Sequence, residues 1–509
     1  MPPLESLPRI AIALGFPTPE NLLEHARREV ESGETFLEFR LDFLEQPERG
    51  VAAVRRFLAG YPECTLLATC RRRQNHGRFN GSVEEEIRIL DAAVAAGARA
   101  VDVEIETAEA AAARLETFRG RARVVLSYHN FEGTPALEVI IRRMLRIPAD
   151  IYKIVTTARK PSDNLRLLSL ARTHARTPLV LLAMGEVGFP SRVLSPVFGG
   201  LFTYATPSMA EGTAAGQVAA HCMRQIYHVE KLARDARIFG VIADPVRHSI
   251  SPAVHNRGFQ ARRIDAVYLP FLVPPPQLRD FMLMAVKLPV AGFSVTIPHK
   301  QKILRYLDAI DPLARRIGAV NTVWRKAGKW RGANTDAQGI TVPLSRHLRL
   351  ARSSVLIVGN GGAARGAAFA LADAGARLAV TGRNPDRVRL LARACGAEAL
   401  SREQAAERTF DALVHATPLG MSPNVNEVFF PDRVPAGVVF DMVYNPLETL
   451  LVRRARAQGA TVVPGLEMFL EQAARQFAIW TGEGAPRTVM QKAALEALAG
   501  PGEPIMNSK

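Results

Sequence analysis

Eight short apolar runs punctuate the first 210 residues: RIAIALG (9–15), TFLEFRLDFL (35–44), CTLLATC (64–70), AVDVEIE (100–106), RVVLSYHNF (123–131), DIYKIVTTA (150–158), LVLLAMG (179–185) and LFTYATP (201–207). Between them lie stretches such as PENLLEHARREVESG and VEEEIRILDAAVAAGA, with apolar residues every three or four positions. The first pattern predicts buried strands and the second amphipathic helices. Strands joined by crossover helices pair in parallel. Eight such units predict a (β/α)8 barrel with its chemistry at the carboxyl ends of the strands. The run AAGQVAAHCMRQIYHVEKLARDAR predicts a helix ending near 237, which places a boundary at about 232–237. Beyond it the rhythm changes, with strands predicted at IFGVIAD (238–244), AVYLPFLV (266–273) and VAGFSVTIP (290–298). From 353 the text SSVLIVGNGGAARGAAFALADAGARLAVTGRNPDR reads as strand, glycine-rich turn, helix and strand. Later strands at DALVHATP (411–418) and VVFDMVY (438–444) complete the pattern of a doubly wound nucleotide fold.

Composition narrows the class. The 509 residues are 48% hydrophobic and 22% charged, which excludes a largely disordered or collagenous chain. No uninterrupted apolar stretch reaches the length of about 18 residues that a membrane span needs. The N-terminus lacks a basic region ahead of a long apolar run, so no secretory signal is expected. Cys64, Cys70, Cys222 and Cys395 form no C-x-x-C pair and read as reduced thiols of a cytoplasmic protein. The net charge of +16 is uneven: residues 1–236 carry 30 Lys+Arg against 28 Asp+Glu, the remainder 35 against 21. That surplus fits either an arginine-rich coding bias or a preference for small anionic ligands. Nucleic acid is the weaker reading, because the basic residues are scattered and no recognition motif occurs.

In the first half Lys153 stands out, one of only three lysines before residue 237, inside the strand DIYKIVT. Removal from water favours the neutral amine, the nucleophile for Schiff-base chemistry on a ketone. A lysine paired with a carboxylate at the barrel centre is the alternative. His129 ends the preceding strand run, so both side chains are expected at one barrel mouth, with the imidazole as general acid and base. Glu38, Arg40 and Asp42 alternate along FLEFRLD, which predicts that all three share one strand face. Arg71, Arg192 and Gln217 end or follow other strands, and an arginine beside a reactive lysine suits a substrate carboxylate.

These residues carry a resemblance. The set ExRxD (38–42), SYHNF..TP (127–135), IYKIV (151–155), MGEVGFPSR (184–192) and GQ (216–217) resembles the type I 3-dehydroquinate dehydratases over most of residues 5–225. The resemblance implies a Schiff base between Lys153 and the ketone at ring carbon 3. It implies that His129 takes the adjacent proton and then protonates the leaving hydroxyl, with Arg192, Thr213 and Gln217 holding the substrate. One position departs: where the family often has T-x-R-x-x-x-E-G-G, with the Glu bonded to the catalytic His, this chain reads TCRRRQNHG, with Asn75 at the Glu position. Either Glu104 or Glu38 is then expected to compensate, or activity to fall.

In the second half, VGNGGAARG (358–366) follows a strand, opens a helix and fits G-x-G-x-x-A through Gly359, Gly361 and Ala364. With Gly362 and Ala363 it forms a turn where backbone can approach a pyrophosphate. The next strand ends in Gly382, Arg383 and Asn384, with Arg387 nearby, where an NAD binder usually has Asp or Glu. Cationic residues there favour the 2′-phosphate of NADP. Upstream, Ser249 and Ser251 in DPVRHSISPAVHN are placed in a loop, offering hydroxyls to one anion. Lys300 of SVTIPHK and Asp336 of GANTDAQG are candidates for a close proton-transfer pair.

Together with AVNT (319–322), ATPLGM (416–421), DMVYNPLETLL (441–451) and GLEMFLEQA (465–473), these motifs resemble the shikimate dehydrogenases over residues 238–500. The resemblance implies carboxylate binding by Ser249 and Ser251, and ring-hydroxyl binding by Thr296, Asn321, Asp336 and Gln472. It also implies Tyr444 lining the site, proton transfer by Lys300 and Asp336, and Thr417 and Gly465 near the nucleotide. Ser294 stands where many bacterial members have Asn. The expected organisation is a dehydratase barrel (1–232), a substrate-binding α/β unit (237–345), an NADP-binding Rossmann unit (346–462) and C-terminal helices (463–509) that return to the substrate unit. The expected function is two consecutive steps, dehydration of 3-dehydroquinate and reduction of 3-dehydroshikimate, acting on small molecules without nucleic acid or membrane. The rival readings are an NAD-linked quinate dehydrogenase in the second half and a quinate-sensing regulator that kept the folds.

Overall fold

The computed structural model describes residues 3–207 and 216–499. Three sheets organise them. The first contains β1 (Ile10–Leu14), β2 (Phe36–Arg40), β3 (Thr65–Thr69), β4 (Ala100–Glu104), β5 (Arg123–His129), β6 (Ile151–Thr157), β7 (Leu179–Met184) and β8 (Thr203–Ala205). All pairs are parallel, in the order β7-β6-β5-β4-β3-β2-β1-β8. The remaining seam is bridged by a backbone bond from Leu201 N to Leu179 O at 2.8 Å, which nearly closes the barrel.

Alternation along each strand sends one set of side chains inward. Phe36, Leu67, Ala100, Val125, Ile151, Val180, Phe202 and their neighbours fill the interior as an apolar cluster. Above that packing, toward the carboxyl ends, the inward positions turn polar: Glu38, Thr69, Asp102, Ser127 and Lys153, then Arg40, Arg71, Glu104 and His129. The opposite strand faces pack on the surrounding helices.

Two expectations are corrected here. β2 ends at Arg40, and Asp42 lies in the 3-10 turn Leu41–Phe43, not on the strand. It still reaches the barrel mouth, because Arg40 pairs with it through Nε and Nη2 at 2.9 and 2.8 Å. The long helix expected up to 237 is short, Ala220–Gln225, followed by turns. Its C-terminal continuation is held instead by tertiary bonds: Arg9 Nη1 donates to the Val229 and Leu232 carbonyls.

The second sheet holds β9 (Arg237–Ala243), β10 (Ala266–Leu272), β11 (Val290–Val295), β12 (Ala309–Ile310), β13 (Thr322–Lys326) and β14 (Lys329–Ala333), ordered β10-β9-β11-β13-β14-β12. Its first three strands are parallel and β13 runs antiparallel to both neighbours. The third sheet is wholly parallel: β15 (Ser354–Val358), β16 (Arg377–Thr381), β17 (Glu398–Ala399), β18 (Phe410–His415), β19 (Ala436–Asp441) and β20 (Thr461–Pro464), ordered β17-β16-β15-β18-β19-β20. That is the doubly wound order whose reversal beside the first strand makes a crevice for a nucleotide. The helix Gly465–Thr481 then runs back to the second sheet, where Trp480 Nε1 donates to the Val323 carbonyl at 3.0 Å. No helix among the described residues is long and apolar enough to cross a membrane.

Candidate active sites

The upper barrel is a compact ionic cluster. Lys153, inward on β6, places Nζ 2.8 Å from Asp102 Oδ2, 3.2 Å from Tyr204 Oη and 3.9 Å from Glu38 Oε1. It is 4% exposed, so the amine is enclosed. The lysine thus pairs with a carboxylate at the barrel centre, with its amine directed into the barrel interior. Ser127 Oγ donates to Asp102 Oδ1 at 2.7 Å and lies 3.0 Å from Glu104 Oε1. Thr69 Oγ1 donates to Glu38 at 2.7 Å. Burial opposes the charge on Asp102, but Lys153 and Arg71 outweigh it and lower the carboxyl pKa.

His129 lies two residues beyond Ser127, on the same inward face of β5. Its Nδ1 is 2.7 Å from Glu104 Oε1, which also lies 2.7 Å from Arg71 Nε. Neither contact is aligned as a linear hydrogen bond, and only that of Arg71 joins opposite charges. Burial, reinforced by Arg71 and Lys153, holds the imidazole pKa well below its ordinary value and keeps the ring neutral. Burial likewise raises Glu104 to about 7, with Asp102 adding to the rise and Arg71 opposing it.

The question left by Asn75 has a geometric answer. Its Nδ2 donates to Glu106 Oε2 at 2.9 Å, outside the ionic cluster, and the carboxylate beside His129 is Glu104. Glu38 serves Thr69 and faces Lys153 instead. His76, next to Asn75, packs at a tilt against Phe131 with ring centroids 4.2 Å apart. Arg192 and Gln217 are both buried. Burial lowers the Arg192 pKa to about 10, so the guanidinium stays charged at neutral pH. Thr213 lies outside the described residues. Sequence reasoning missed Asp102, Ser127 and Tyr204. Asp102 had a signal, the inward period-two spacing to Glu104 in VDVE, while Tyr204 had none beyond its place in a predicted strand.

In the second half Lys300 Nζ lies 2.7 Å from Asp336 Oδ2. Asn321 Nδ2 reaches Asp336 Oδ1 at 2.7 Å and Gln472 Oε1 at 3.2 Å. Four residues scattered over more than 170 positions thus converge. Ser251 is corrected from loop to the first residue of the helix Ser251–Ala261, with its N–H 3.4 Å from Ser249 Oγ. From there a buried relay crosses the sheet. Tyr268 Oη, which lies near Ser251, donates to Ser294 at 2.7 Å, and Ser294 donates to Gln476 Oε1 at 2.9 Å. Gln476 donates to Thr322 Oγ1 at 3.2 Å, and Thr322 donates to Asn321 Oδ1 at 2.7 Å. Ser294 is therefore wired into the site rather than a vacant substitution. Thr296 follows β11 directly, four residues before Lys300, and Tyr444 packs on Phe469 with centroids 5.2 Å apart.

The glycine-rich turn has room for a phosphate. A side chain on Gly361 or Gly362 would meet nothing within 4 Å, whereas one on Gly359, at φ +130°, would sit 2.8 Å from the Ala416 carbonyl. Gly361 caps the twelve-residue helix Gly362–Asp373, and Ala363 lies in its first turn. Arg383 and Arg387 are exposed just past β16. Asn384 has a structural duty there, accepting the Arg387 N–H at 3.1 Å as the cap of the helix Pro385–Cys395. Thr417 Oγ1 lies 2.5 Å from His415 Nε2, and His415 Nδ1 lies 2.9 Å from Asp441. At Gly465 a Cβ would lie 2.6 Å from the Val443 carbonyl, so the helix start requires glycine.

Comparison with known proteins agrees with both halves. Residues 10–234 match the family model of type I 3-dehydroquinase, residues 241–323 the shikimate dehydrogenase substrate binding domain and residues 465–495 the shikimate 5′-dehydrogenase C-terminal domain. A chloroplastic bifunctional 3-dehydroquinate dehydratase/shikimate dehydrogenase of Arabidopsis thaliana is 34% identical over 482 residues, covering 90% of this chain and 79% of that one. The shikimate biosynthesis protein AroDE of Chlamydia pneumoniae is 32% identical over 75% of this chain and 78% of its own. A solved shikimate dehydrogenase in complex with NADP+ superposes with a TM-score of 0.51 at 34% identity, covering 53% of this chain and 98% of that one. With the barrel cluster on one side and the Lys300–Asp336 cluster on the other, the chain belongs to the bifunctional 3-dehydroquinate dehydratase/shikimate dehydrogenase family.

Proposed function

We propose that the barrel dehydrates 3-dehydroquinate to 3-dehydroshikimate and that the second half reduces this product to shikimate with NADPH. The observation that carries the reading is the enclosed Lys153 amine on the same barrel face as a neutral, carboxylate-contacted His129.

Lys153 passes its ammonium proton to the neutral His129, and the freed amine adds to the substrate ketone; His129 returns that proton to the carbinolamine hydroxyl, which leaves as water and gives an iminium. The iminium draws electrons from the adjacent carbon, so His129 removes its proton and the electron pair moves onto nitrogen. His129 then returns that proton to the departing hydroxyl, which leaves as water. Hydrolysis of the imine frees the lysine and the product, for a net loss of one water. Arg71 and Arg192 supply positive charge for the substrate carboxylate and hydroxyls, with Gln217, Arg40 and Glu38 lining the mouth. Asp102 and Tyr204 orient the amine.

In the second half, Ser249 and Ser251 bind the carboxylate, and Asn321, Thr296 and Gln472 bind ring hydroxyls beside Tyr444. Lys300 and Asp336 hold and move the proton at the carbonyl oxygen being reduced. The open turn at Gly361 and Gly362 on a helix N-terminus suits a pyrophosphate, and Arg383 with Arg387 suits a 2′-phosphate. NADPH, when bound there, supplies the hydride. Thr417 and Gly465 border the same crevice. The free cysteines among the described residues support a cytoplasmic location.

Borohydride reduction in the presence of 3-dehydroquinate, followed by mass spectrometry of the Lys153 peptide, tests the reading. A stable adduct on Lys153 is expected; active protein without one refutes the dehydratase mechanism.

A further inference from the structure

The two substrate-binding regions touch through side chains that neither reaction uses. Glu186 lies in the loop after β7, between Gly185 and the helix Phe189–Leu194 that carries Arg192. Gly216, next to Gln217, rests on this loop so closely that a Cβ would sit 2.7 Å from the Gly185 carbonyl. Across the boundary, Arg247 lies in the loop after β9, two residues before Ser249. Arg247 Nε is 3.8 Å from Glu186 Oε2, and each side chain is 23% exposed. Glu186 Oε1 and Arg247 Nε are buried without an aligned hydrogen bond. Nearby, Ser162 N and Oγ both bond Asp280, at 2.8 and 2.7 Å, and Gln277 donates to the Arg159 carbonyl at 3.0 Å. The two halves are therefore held together along one face, with this ion pair between the loops that bear Arg192 and Ser249.

We infer that Glu186 and Arg247 are positioning residues: the barrel carboxylate holds the Arg247 loop so that Ser249 is aimed at the dehydrogenase substrate. The inference rests on the proposed roles of Ser249 and Arg192. Removing either partner leaves a half-buried charge uncompensated and lets the loop move, while Lys300 and Asp336, elsewhere on the sheet, are untouched. A residue of the dehydratase barrel thereby sets substrate affinity in the dehydrogenase.

The test is a double-mutant cycle on the full chain with Glu186→Gln, Arg247→Gln, the double variant and the exchange Glu186→Arg/Arg247→Glu. NADP+-linked oxidation of shikimate gives kcat and KM, and thermal melts report folding. Each single variant is expected to raise the shikimate KM by about three- to tenfold with kcat nearly unchanged. The double variant should be no worse than the larger single effect, and the exchange should restore KM. Additive effects, an unchanged KM in Glu186→Gln, or a lowered KM there from a freed arginine would each overturn the inference. A wild-type chain that oxidises no shikimate would instead refute the functional reading itself.

Discussion

Lys153 and Asp102 form an ion pair of 2.8 Å in which both side chains are more than nine-tenths buried. Such a pair is stable only while both members are present, because removing one strands the other charge in a poor solvent. The same contact that orients the proposed nucleophile thus makes the barrel depend on it.

Lys153→Ala should abolish the borohydride adduct and the dehydratase activity together. It should also lower stability by about 3–5 kcal/mol, the cost of an unpaired buried charge. Adding Asp102→Asn should recover much of the lost stability and none of the activity. Urea titration of the three proteins checks this, and equal stability of wild type and Lys153→Ala would show that the pair is not closed in solution.

Glu104→Gln separates orientation of His129 from nucleophilic attack. The dehydratase kcat should fall by about 10²-fold, the range of positioned acid–base catalysis, while trapping at Lys153 persists. Stability should respond to pH as well. The folded carboxyl titrates at about 7, above its unfolded value, so its contribution is present at pH 4 and lost as pH rises through 7. Glu104→Gln should flatten that decline between pH 4.5 and 7 in urea titrations.

Asp336→Asn removes the partner of Lys300 and Asn321. Shikimate oxidation should drop by about 10²–10⁴-fold, with 3-dehydroquinate dehydration unchanged in the same preparation. A parallel loss of both activities would point to misfolding instead.

Arg383→Ala should raise the KM for NADP+ by roughly tenfold or more, as expected for a charged hydrogen bond, and leave the KM for NAD+ unaltered. Equal changes for both nucleotides would remove Arg383 from 2′-phosphate recognition.

His255 is fully buried, stacked on Tyr268 with ring centroids 4.5 Å apart, and burial lowers its pKa to about 3. A depressed imidazole pKa contributes stability above its unfolded value near 6.5, and that stability is lost as pH falls toward 3. The melting temperature should therefore fall more steeply between pH 6.5 and 4.5 in wild type than in His255→Phe.

The strand positions of the barrel and of the Rossmann sheet follow from runs of apolar residues broken by turns, which is why Lys153 was legible as a lysine inside a strand. Asp42 was misplaced because alternation continues in the text after the backbone has left the strand for a 3-10 turn. The helix before 237 was overlong for a related reason: helical periodicity persists past Gln225, but local propensity yields to packing.

Residue types and spacing along the chain decided the fold class, the two chemistries and most of the candidate side chains, because strand period, glycine turns and a rare buried lysine are local features. Tertiary structure alone decided which carboxylate accompanies His129, how Ser294 and Gln476 link Ser251 to Asn321, and that Glu186 meets Arg247. The contacts His129–Glu104, Glu186–Arg247 and Ser294–Gln476 join residues 25 to 182 positions apart, and only the nearly closed barrel and the returning C-terminal helix bring them together.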